Sequence, residues 1–265
     1  LEELRNFRQW GSKTPGHPES GLTPGVECTS GPLGQGFAMG VGMAMTEKFL
    51  AEKYNRSGFN IIDHYTYAIV SDGDLMEGVS SEASSLAGHW GIGKLIYLYD
   101  SNRISIEGST DLAFTEDVKS RFRSYGWQVV NVDDGTDLDA IEQAISGARQ
   151  DADHPSLVMI RTNIGYGSPK QDDASAHGAP LGPKAAQATR EKLDWPAEPS
   201  FYIPDEVSDF HARRLESLAS KEKEWKDLLE AYGTEHTELA NSLTRVMDGE
   251  LPEAWRETLP TFSTD

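Results

Sequence analysis

Short apolar runs alternate along the chain with longer stretches in which apolar residues recur at helical spacing. Four runs rich in β-branched, aromatic and aliphatic residues have the length of buried strands: 66–70, 95–99, 127–132 and 156–162. Four further stretches have helical periodicity: 34–54, 80–89, 115–125 and 138–150. Strands that alternate with such helices indicate βαβ units joined by right-handed crossovers. We therefore predict an α/β fold: a doubly wound, mostly parallel sheet with helices on both faces, in a single domain.

The two ends of the chain have a different character. Residues 1–31 are rich in Gly, Pro, Thr and Ser and predict a loop. Towards the other end, the pattern predicts one helix over 183–193 and a long charged helix over about 205–232. We assign residues 1–250 to the domain and residues 251–265 to a linker-like tail that would lead to a further domain.

Two local features refine the predicted helices. The helix at 34–54 contains glycines, which lower its helical propensity but would let it pack closely on a neighbour: Gly36, Gly40 and Gly42. Thr115, which is followed by acidic residues, is the predicted N-cap of the helix at 115–125.

Composition narrows the class of protein. With 265 residues, of which 37% are hydrophobic and 25% charged, the chain has the composition of a soluble globular protein. Its longest apolar stretch, residues 36–45, is too short to span a membrane, and no basic and apolar leader opens the chain. The single cysteine, Cys28, excludes an intrachain disulfide and agrees with a reducing, cytoplasmic setting.

The excess of acidic residues limits the kinds of molecule that the chain can bind. A formal net charge of −19 argues against a nucleic-acid partner, because the phosphate backbone would be repelled. Such acidity also favours solubility and agrees with a salt-rich habitat. An anionic ligand would have to be attracted locally, by a metal ion, by helix N-termini or by a few histidines.

Oxygen-bearing residues follow two successive predicted strands. Asp72 comes after the first strand and Asn102 after the second. Ligands of open parallel sheets bind at the carboxyl ends of the strands, and carboxylate and amide oxygens suit Mg²⁺, which often retains phosphate ligands. Gly73 would allow a phosphate to approach the backbone, and the next helix would add its positive end. The pattern fits a metal-bound diphosphate, although Asp-Gly after a strand is more commonly a simple turn.

Several sequence blocks carry a resemblance to a known family. Ser71-Asp72-Gly73, followed one strand-helix-strand unit later by Asn102, resembles the thiamine-diphosphate signature, in which Gly-Asp-Gly is followed by Asn. More narrowly, four blocks are similar to blocks of transketolases and occur in the same order: TPGHPE at 14–19, TSGPLGQG at 29–36, EGVSSEA at 77–83, and IGYG at 164–167 with HGAPL at 177–181. Together they extend over nearly the whole chain, which therefore resembles the transketolase family and its thiamine-diphosphate-binding fold.

The resemblance implies two cofactors, thiamine diphosphate and Mg²⁺, with Ca²⁺ or Mn²⁺ as possible substitutes for Mg²⁺. It implies three metal ligands, namely the side chains of Asp72 and Asn102 and the backbone carbonyl of Ile104. It also implies that Gly73 and Asn102 contact the diphosphate.

Further roles are implied for a glycine-rich loop and for two histidines. Gly31, Pro32 and Leu33 would line the aminopyrimidine and the bend of the cofactor. His177 would contact the diphosphate side of the cofactor and the oxygens of the substrate, and His17 would hydrogen-bond the sugar near the reacting carbons. Both histidines are candidate catalytic residues, since histidine can donate, accept and titrate near neutrality.

Two positions depart from the family pattern. Ser71 stands where the family has the first Gly of its triplet, and an extended conformation at the strand end would accept serine. Asp74 adds a carboxylate beside the anion site, which would repel a diphosphate unless it points away. Glu77 and Glu82 could form an acid/base pair, but interface or helix roles are the favoured interpretation.

The resemblance also implies what else the activity requires. In transketolases a glutamate of a second, pyrimidine-binding domain activates the cofactor, and the active site forms between two protomers. The sequence has no recognisable counterpart of that domain or of the front of the family's first domain. We therefore expect a fragment or a subunit of a split enzyme, within a homodimer or a heterotetramer. The implied reaction belongs to the pentose phosphate pathway and transfers a two-carbon ketol unit between sugar phosphates.

Three interpretations remain open at this level. The chain could be the diphosphate-binding part of a transketolase, active only with a pyrimidine-domain partner. It could instead be a non-catalytic module that binds the cofactor. It could also belong to a related enzyme, such as a dihydroxyacetone synthase or the α-type subunit of a 2-oxo-acid decarboxylating complex. The HGAPL block at 177–181 favours transketolase over the last of these.

Overall fold

The parallel sheet predicted from the sequence is present in the computed structural model, which describes residues 1–252 and 254–262. Its strands are β1 (Thr66–Ser71), β2 (Leu95–Ser101), β5 (Gln128–Val132) and β6 (Ser156–Arg161). They lie in the order β1-β2-β6-β5, and each neighbouring pair is parallel. Between β2 and β5, a two-stranded antiparallel ribbon is formed by β3 (Ile104–Ser105) and β4 (Gly108–Ser109).

Helices precede, connect and follow these strands. They are α1 (Glu2–Arg5), α2 (Gln35–Tyr54), α3 (Asp72–Met76), α4 (Gly78–Trp90), α5 (Val118–Ser124), α6 (Leu138–Ala148), α7 (Pro183–Lys192), α8 (Asp205–Glu235) and α9 (Thr237–Met247). Six of them, α2 and α4 to α8, correspond to predicted helices, whereas α1, α3, α9 and the β3–β4 ribbon were not predicted. The predicted N-cap Thr115 is wrong, because α5 begins later and is capped by Asp117.

The two faces of the sheet pack against different helices, because successive residues of a strand point to opposite sides. On one face, Tyr97 of β2 lies in a buried cluster with Phe37 of α2. On the other face, Ile96 packs in a second cluster with Ala144 and Ala148 of α6. The prediction of a parallel sheet covered by helices on both faces is therefore confirmed.

The glycines of α2 differ in what they face. A Cβ at Gly40 would clash with the hydroxyl of Tyr97, and one at Gly36 would lie 3.2 Å from Ser30 Cβ. Gly42 faces open space, with nothing within 4 Å of a Cβ built there. The predicted close packing of this helix is thus found at Gly40 and Gly36 and not at Gly42.

The chain groups into two compact units. The first comprises residues 1–46 and 64–202 and contains the sheet, and the second comprises residues 47–63 and 203–265. Within the second unit, the Tyr232 hydroxyl of α8 donates to the Tyr54 carbonyl at 2.7 Å, and Trp225 Nε1 donates to the Ile61 carbonyl at 2.9 Å. These bonds fix the long charged helix α8 to the end of α2 and the segment that follows it.

The predicted tail, residues 251–265, is described only in part, because residues 253 and 263–265 lie outside the described residues. Its described part contains a 3-10 helix, Trp255–Thr258. The domain boundary at residue 250 stays a prediction. In the described ranges, no helix is both long enough and apolar enough to cross a membrane.

Candidate functional site

A buried carboxylate lies at the carboxyl end of β1. Asp72 is the first residue of α3, and only 4% of its surface is exposed. Its Oδ1 accepts a hydrogen bond from the Tyr99 hydroxyl at 2.5 Å, and its Oδ2 accepts one from the backbone N–H of Arg103 at 3.1 Å. Burial raises the pKa of Asp72 above its ordinary value, and the two hydrogen bonds act in the opposite direction.

The segment after β2 forms a tight turn beside this carboxylate. Asn102 Oδ1 accepts from the backbone N–H of Ile104 at 2.9 Å, and Arg103 between them adopts a positive φ of 63°. Arg161 Nη1 donates to the Ser101 carbonyl at 2.8 Å and so joins the end of β6 to the end of β2. Through the bond from Arg103 to Asp72, the turn and α3 are held together.

The oxygen donors of this edge fit a hard divalent cation. They are one carboxylate (Asp72), one amide oxygen (Asn102) and one backbone carbonyl (Ile104), and Mg²⁺ prefers such oxygen ligands. The amide oxygen retains a second lone pair after accepting from Ile104. In the part of the chain that the structure describes, no three His, Cys, Asp or Glu side chains cluster as a metal site, and this donor set needs only one carboxylate.

The glycine-rich loop before α2 lies near the same edge. A Cβ at Gly31 would lie 2.5 Å from Cγ of His17, so the imidazole packs directly on the glycine. A Cβ at Gly73 would lie 3.2 Å from Leu33 Cδ1, so the loop also touches the start of α3. Gly31, Pro32 and Leu33 line a pocket of about 390 Å³. The structure therefore brings His17, the loop and Gly73 into one neighbourhood.

The two departures from the family pattern compensate one another. Ser71 has extended backbone (φ −122°), and its N–H and hydroxyl both donate to Asp74 Oδ2 at 2.9 Å. The other oxygen of Asp74 accepts from the Gly34 N–H at 3.0 Å. Both oxygens of Asp74 therefore have partners, and this carboxylate ties the loop before α2 to the start of α3.

His177 lies on the long loop that leaves β6. Its side chain is exposed, and its backbone N–H donates to the Ala174 carbonyl at 2.9 Å. Among the residues that the structure describes, no hydrogen bond joins His177 to Asp72 or Asn102. A role of His177 at the cofactor therefore stays a prediction.

Sequence reasoning missed two residues that hold the site together, Tyr99 and Arg103. The alternation in the β2 run places Tyr97 and Tyr99 on one face of the sheet, which was a usable signal for a buried hydroxyl. Nothing in the sequence marks Arg103 as left-handed, since this conformation usually favours Gly or Asn. Glu77, at the junction of α3 and α4, and Glu82 on α4 are both exposed.

Comparison with known proteins identifies the family. Residues 1–252 match the family model described as "Transketolase, thiamine diphosphate binding domain". The chain is 53% identical over 264 residues to the transketolase of Geobacillus stearothermophilus. This alignment covers 99% of this chain and 40% of the relative.

Solved structures give the same result. The transketolase of Pichia stipitis in complex with sedoheptulose 7-phosphate matches with a TM-score of 0.94 and 47% identity, over 100% of this chain and 39% of that one. The Leishmania mexicana transketolase matches with a TM-score of 0.95 and 42% identity, over 99% of this chain and 39% of that one. The chain thus spans about 40% of the length of the relatives that it matches. It belongs to the transketolase family and corresponds to the thiamine-diphosphate-binding domain of that family.

Proposed function

We propose that this chain binds thiamine diphosphate through a Mg²⁺ ion held by Asp72, Asn102 and the carbonyl of Ile104. The observation that carries this proposal is the buried Asp72 carboxylate, which is fixed by two hydrogen bonds beside the Asn102 turn. With a net charge of −19, the chain repels a diphosphate at long range, so a local cation is needed to hold one. Ca²⁺ or Mn²⁺ could take the place of Mg²⁺ at oxygen ligands.

The chain's own residues would then surround the rest of the cofactor. Gly31, Pro32 and Leu33 would line its aminopyrimidine and the bend of the cofactor, and the backbone at Gly73 would approach the diphosphate. His17, packed on Gly31, would hydrogen-bond the sugar near its reacting carbons, and His177 would bind the diphosphate side and substrate oxygens. When bound, thiamine diphosphate supplies the nucleophile for the transfer of a two-carbon unit.

The activity that family membership supports is the transfer of two-carbon ketol units between sugar phosphates. We propose that this transfer serves the pentose phosphate pathway in the cytoplasm. The chain spans about 40% of its relatives' length, so we assign it only one half of the active site. The other half would come from a pyrimidine-binding domain, either as a C-terminal portion or as a separate subunit. The assembly would be a homodimer or a heterotetramer.

Cofactor binding is tested by calorimetry with thiamine diphosphate, with and without Mg²⁺. We expect Mg²⁺-dependent binding by the wild-type chain and its loss in Asp72→Ala, because the only carboxylate of the donor set is removed. Glu82→Ala is the matched control, since Glu82 is an exposed carboxylate on the neighbouring helix α4. This variant should bind thiamine diphosphate as the wild type does. Unchanged affinity in Asp72→Ala would contradict the metal assignment.

Catalysis is tested by mixing the purified chain with a pyrimidine-domain protein. We expect ketol transfer between sugar phosphates to appear only in the mixture, and to disappear when Asp72→Ala replaces the wild type. If Mg²⁺-dependent cofactor binding persists while no such partner restores turnover, the chain is a non-catalytic binding module.

A further inference from the structure

Both oxygens of the Asp72 carboxylate accept hydrogen bonds, one from β2 and the other from the turn that follows β2. Oδ1 accepts from the hydroxyl of Tyr99 on β2 at 2.5 Å, and Oδ2 accepts from the N–H of Arg103 in the following turn at 3.1 Å. A carboxylate that is bonded at only one oxygen can swing about the bond to its Cβ atom. With both oxygens bonded, this rotation is restricted, and the plane of the carboxylate is fixed.

We propose that Tyr99 is a positioning residue that orients the Asp72 carboxylate for the metal ion, an inference that rests on the proposed function. An ionised carboxylate offers about four lone-pair sites, so one donor on each oxygen still leaves sites for a cation. Outer partners that orient metal-binding groups commonly change metal affinity by about 10- to 100-fold when they are removed. Tyr99 would act in this way without touching the ion itself.

Packing alone does not account for the hydroxyl of Tyr99. The ring lies in the buried cluster on one face of the sheet, and only 2% of the residue is exposed. A phenylalanine would fill the same space, whereas a buried hydroxyl needs a partner, and here the partner is Asp72. The parallel register pairs Tyr99 with Val70, two residues before Asp72. The pairing of β1 with β2 therefore places the Tyr99 hydroxyl beside the Asp72 carboxylate.

The same strand provides a matched control. Tyr97 lies two residues earlier on the same face of β2 and is fully buried. Its hydroxyl donates at 2.5 Å to the backbone carbonyl of Phe37 in α2 and not to any of the proposed metal ligands. Tyr97→Phe and Tyr99→Phe therefore remove one buried hydroxyl each from the same strand, but only the second removes a bond to Asp72.

The experiment compares the wild type, Tyr97→Phe and Tyr99→Phe by titrating Mg²⁺ into each protein at saturating thiamine diphosphate. We expect the Mg²⁺ affinity of Tyr99→Phe to fall by about 10- to 100-fold, while that of Tyr97→Phe stays within about twofold of the wild type. The rise in Tm that Mg²⁺ produces gives a second readout, and it should shrink only in Tyr99→Phe. The Tm of the metal-free proteins measures the purely structural cost of each substitution.

The outcomes separate this inference from the proposed function. If the wild type does not bind Mg²⁺ in the presence of thiamine diphosphate, the metal site is wrong, and the role of Tyr99 is wrong with it. If the wild type binds and Tyr99→Phe binds equally well, the metal site stands and the positioning role is overturned. Equal weakening in both variants would also overturn it, because a general loss of packing would then explain the effect.

Discussion

At the scale of single residues, one carboxylate decides where α5 begins. Asp117 Oδ1 accepts from the N–H of Ser120 at 3.0 Å, and Oδ2 accepts from the Ser120 hydroxyl at 2.7 Å. A side-chain acceptor at this position satisfies one of the N–H groups that the first turn of a helix leaves unpaired. Thr115, the cap predicted from the sequence, lies two residues earlier and is exposed. Threonine and aspartate are both good caps, so local pattern alone did not distinguish them.

We predict that Asp117→Ala lowers the Tm at about pH 7, whereas Thr115→Ala leaves it nearly unchanged. The hydrogen bonds from Ser120 lower the pKa of Asp117 below its ordinary value. The stability that this carboxylate contributes is therefore present above its unfolded pKa and is lost as the pH falls through its folded pKa. Melting curves between about pH 7 and pH 3 should show the gap between wild type and Asp117→Ala closing in acid. Equal losses in the two variants would contradict the cap assignment.

The site residues differ in how far the sequence could identify them. The position of Asp72 and Asn102 at one edge of the sheet could be predicted, because polar residues that end neighbouring parallel strands meet there, whereas their role as metal ligands came from the resemblance and stays a prediction. Ser71 and Asp74 could be noted only as departures, since their mutual hydrogen bonds depend on the conformation at the start of α3. The left-handed Arg103 was not predictable, because the turn around it is imposed by bonds to residues distant in sequence.

At the scale of elements, two helical glycines are in opposite situations. Gly88 of α4 lies against the backbone that follows α5, and a Cβ there would overlap the carbonyl oxygen of Tyr125. Gly42 of α2 has nothing within 4 Å of the corresponding position. The first glycine therefore permits a close approach between elements, and the second only lowers the propensity of its own helix.

We predict that Gly88→Ala destabilises the chain by about 1–3 kcal/mol, because a backbone carbonyl must move to accommodate the methyl group. Gly42→Ala should instead stabilise the chain by about 0.5–1 kcal/mol, because alanine loses less backbone entropy in a helix. Urea unfolding of both variants measures these changes, with an unchanged m-value as the check that the unfolded state is the same. A loss of stability in Gly42→Ala, or none in Gly88→Ala, would show that α2 or α4 packs differently.

The long, periodic elements could be predicted, and the short ones could not. The strands and the helices α2, α4 and α6 were predicted from recurring small and apolar residues and α8 from its run of charged residues, and the structure places them within a few residues of the predicted bounds. The ribbon β3–β4 has two residues in each strand, and α3 has five, so neither is long enough to show a period. The start of α3 is held by the bonds from Ser71 to Asp74, and the turn that leads into the ribbon is held to α3 by the bond from the Arg103 N–H to Asp72, a contact between residues distant in sequence.

At the scale of the whole molecule, the dominant feature is charge. The chain carries 43 acidic and 24 basic residues, which gives the net charge of −19. Some of this charge is paired on α8. Lys223 Nζ lies 2.6 Å from Asp227 Oδ2, and Lys226 Nζ lies 2.6 Å from Glu222 Oε1. These pairs are exposed, so water and salt screen them and they contribute little to stability. The excess of acidic over basic residues should therefore determine how the stability of the chain responds to salt.

We predict that the Tm of the metal-free chain rises as salt is increased from about 10 mM to about 0.5 M, because screening weakens the repulsion among the excess carboxylates. Tetramethylammonium chloride is the decisive salt, since its cation screens charge without coordinating to carboxylates as Mg²⁺ does. A matched rise with this salt and with sodium chloride would attribute the effect to screening, and a rise confined to sodium would attribute it to bound ions. If the Tm instead fell with either salt, the attractive pairs on α8 would outweigh the repulsion, and the acidic excess would not limit the stability of the fold.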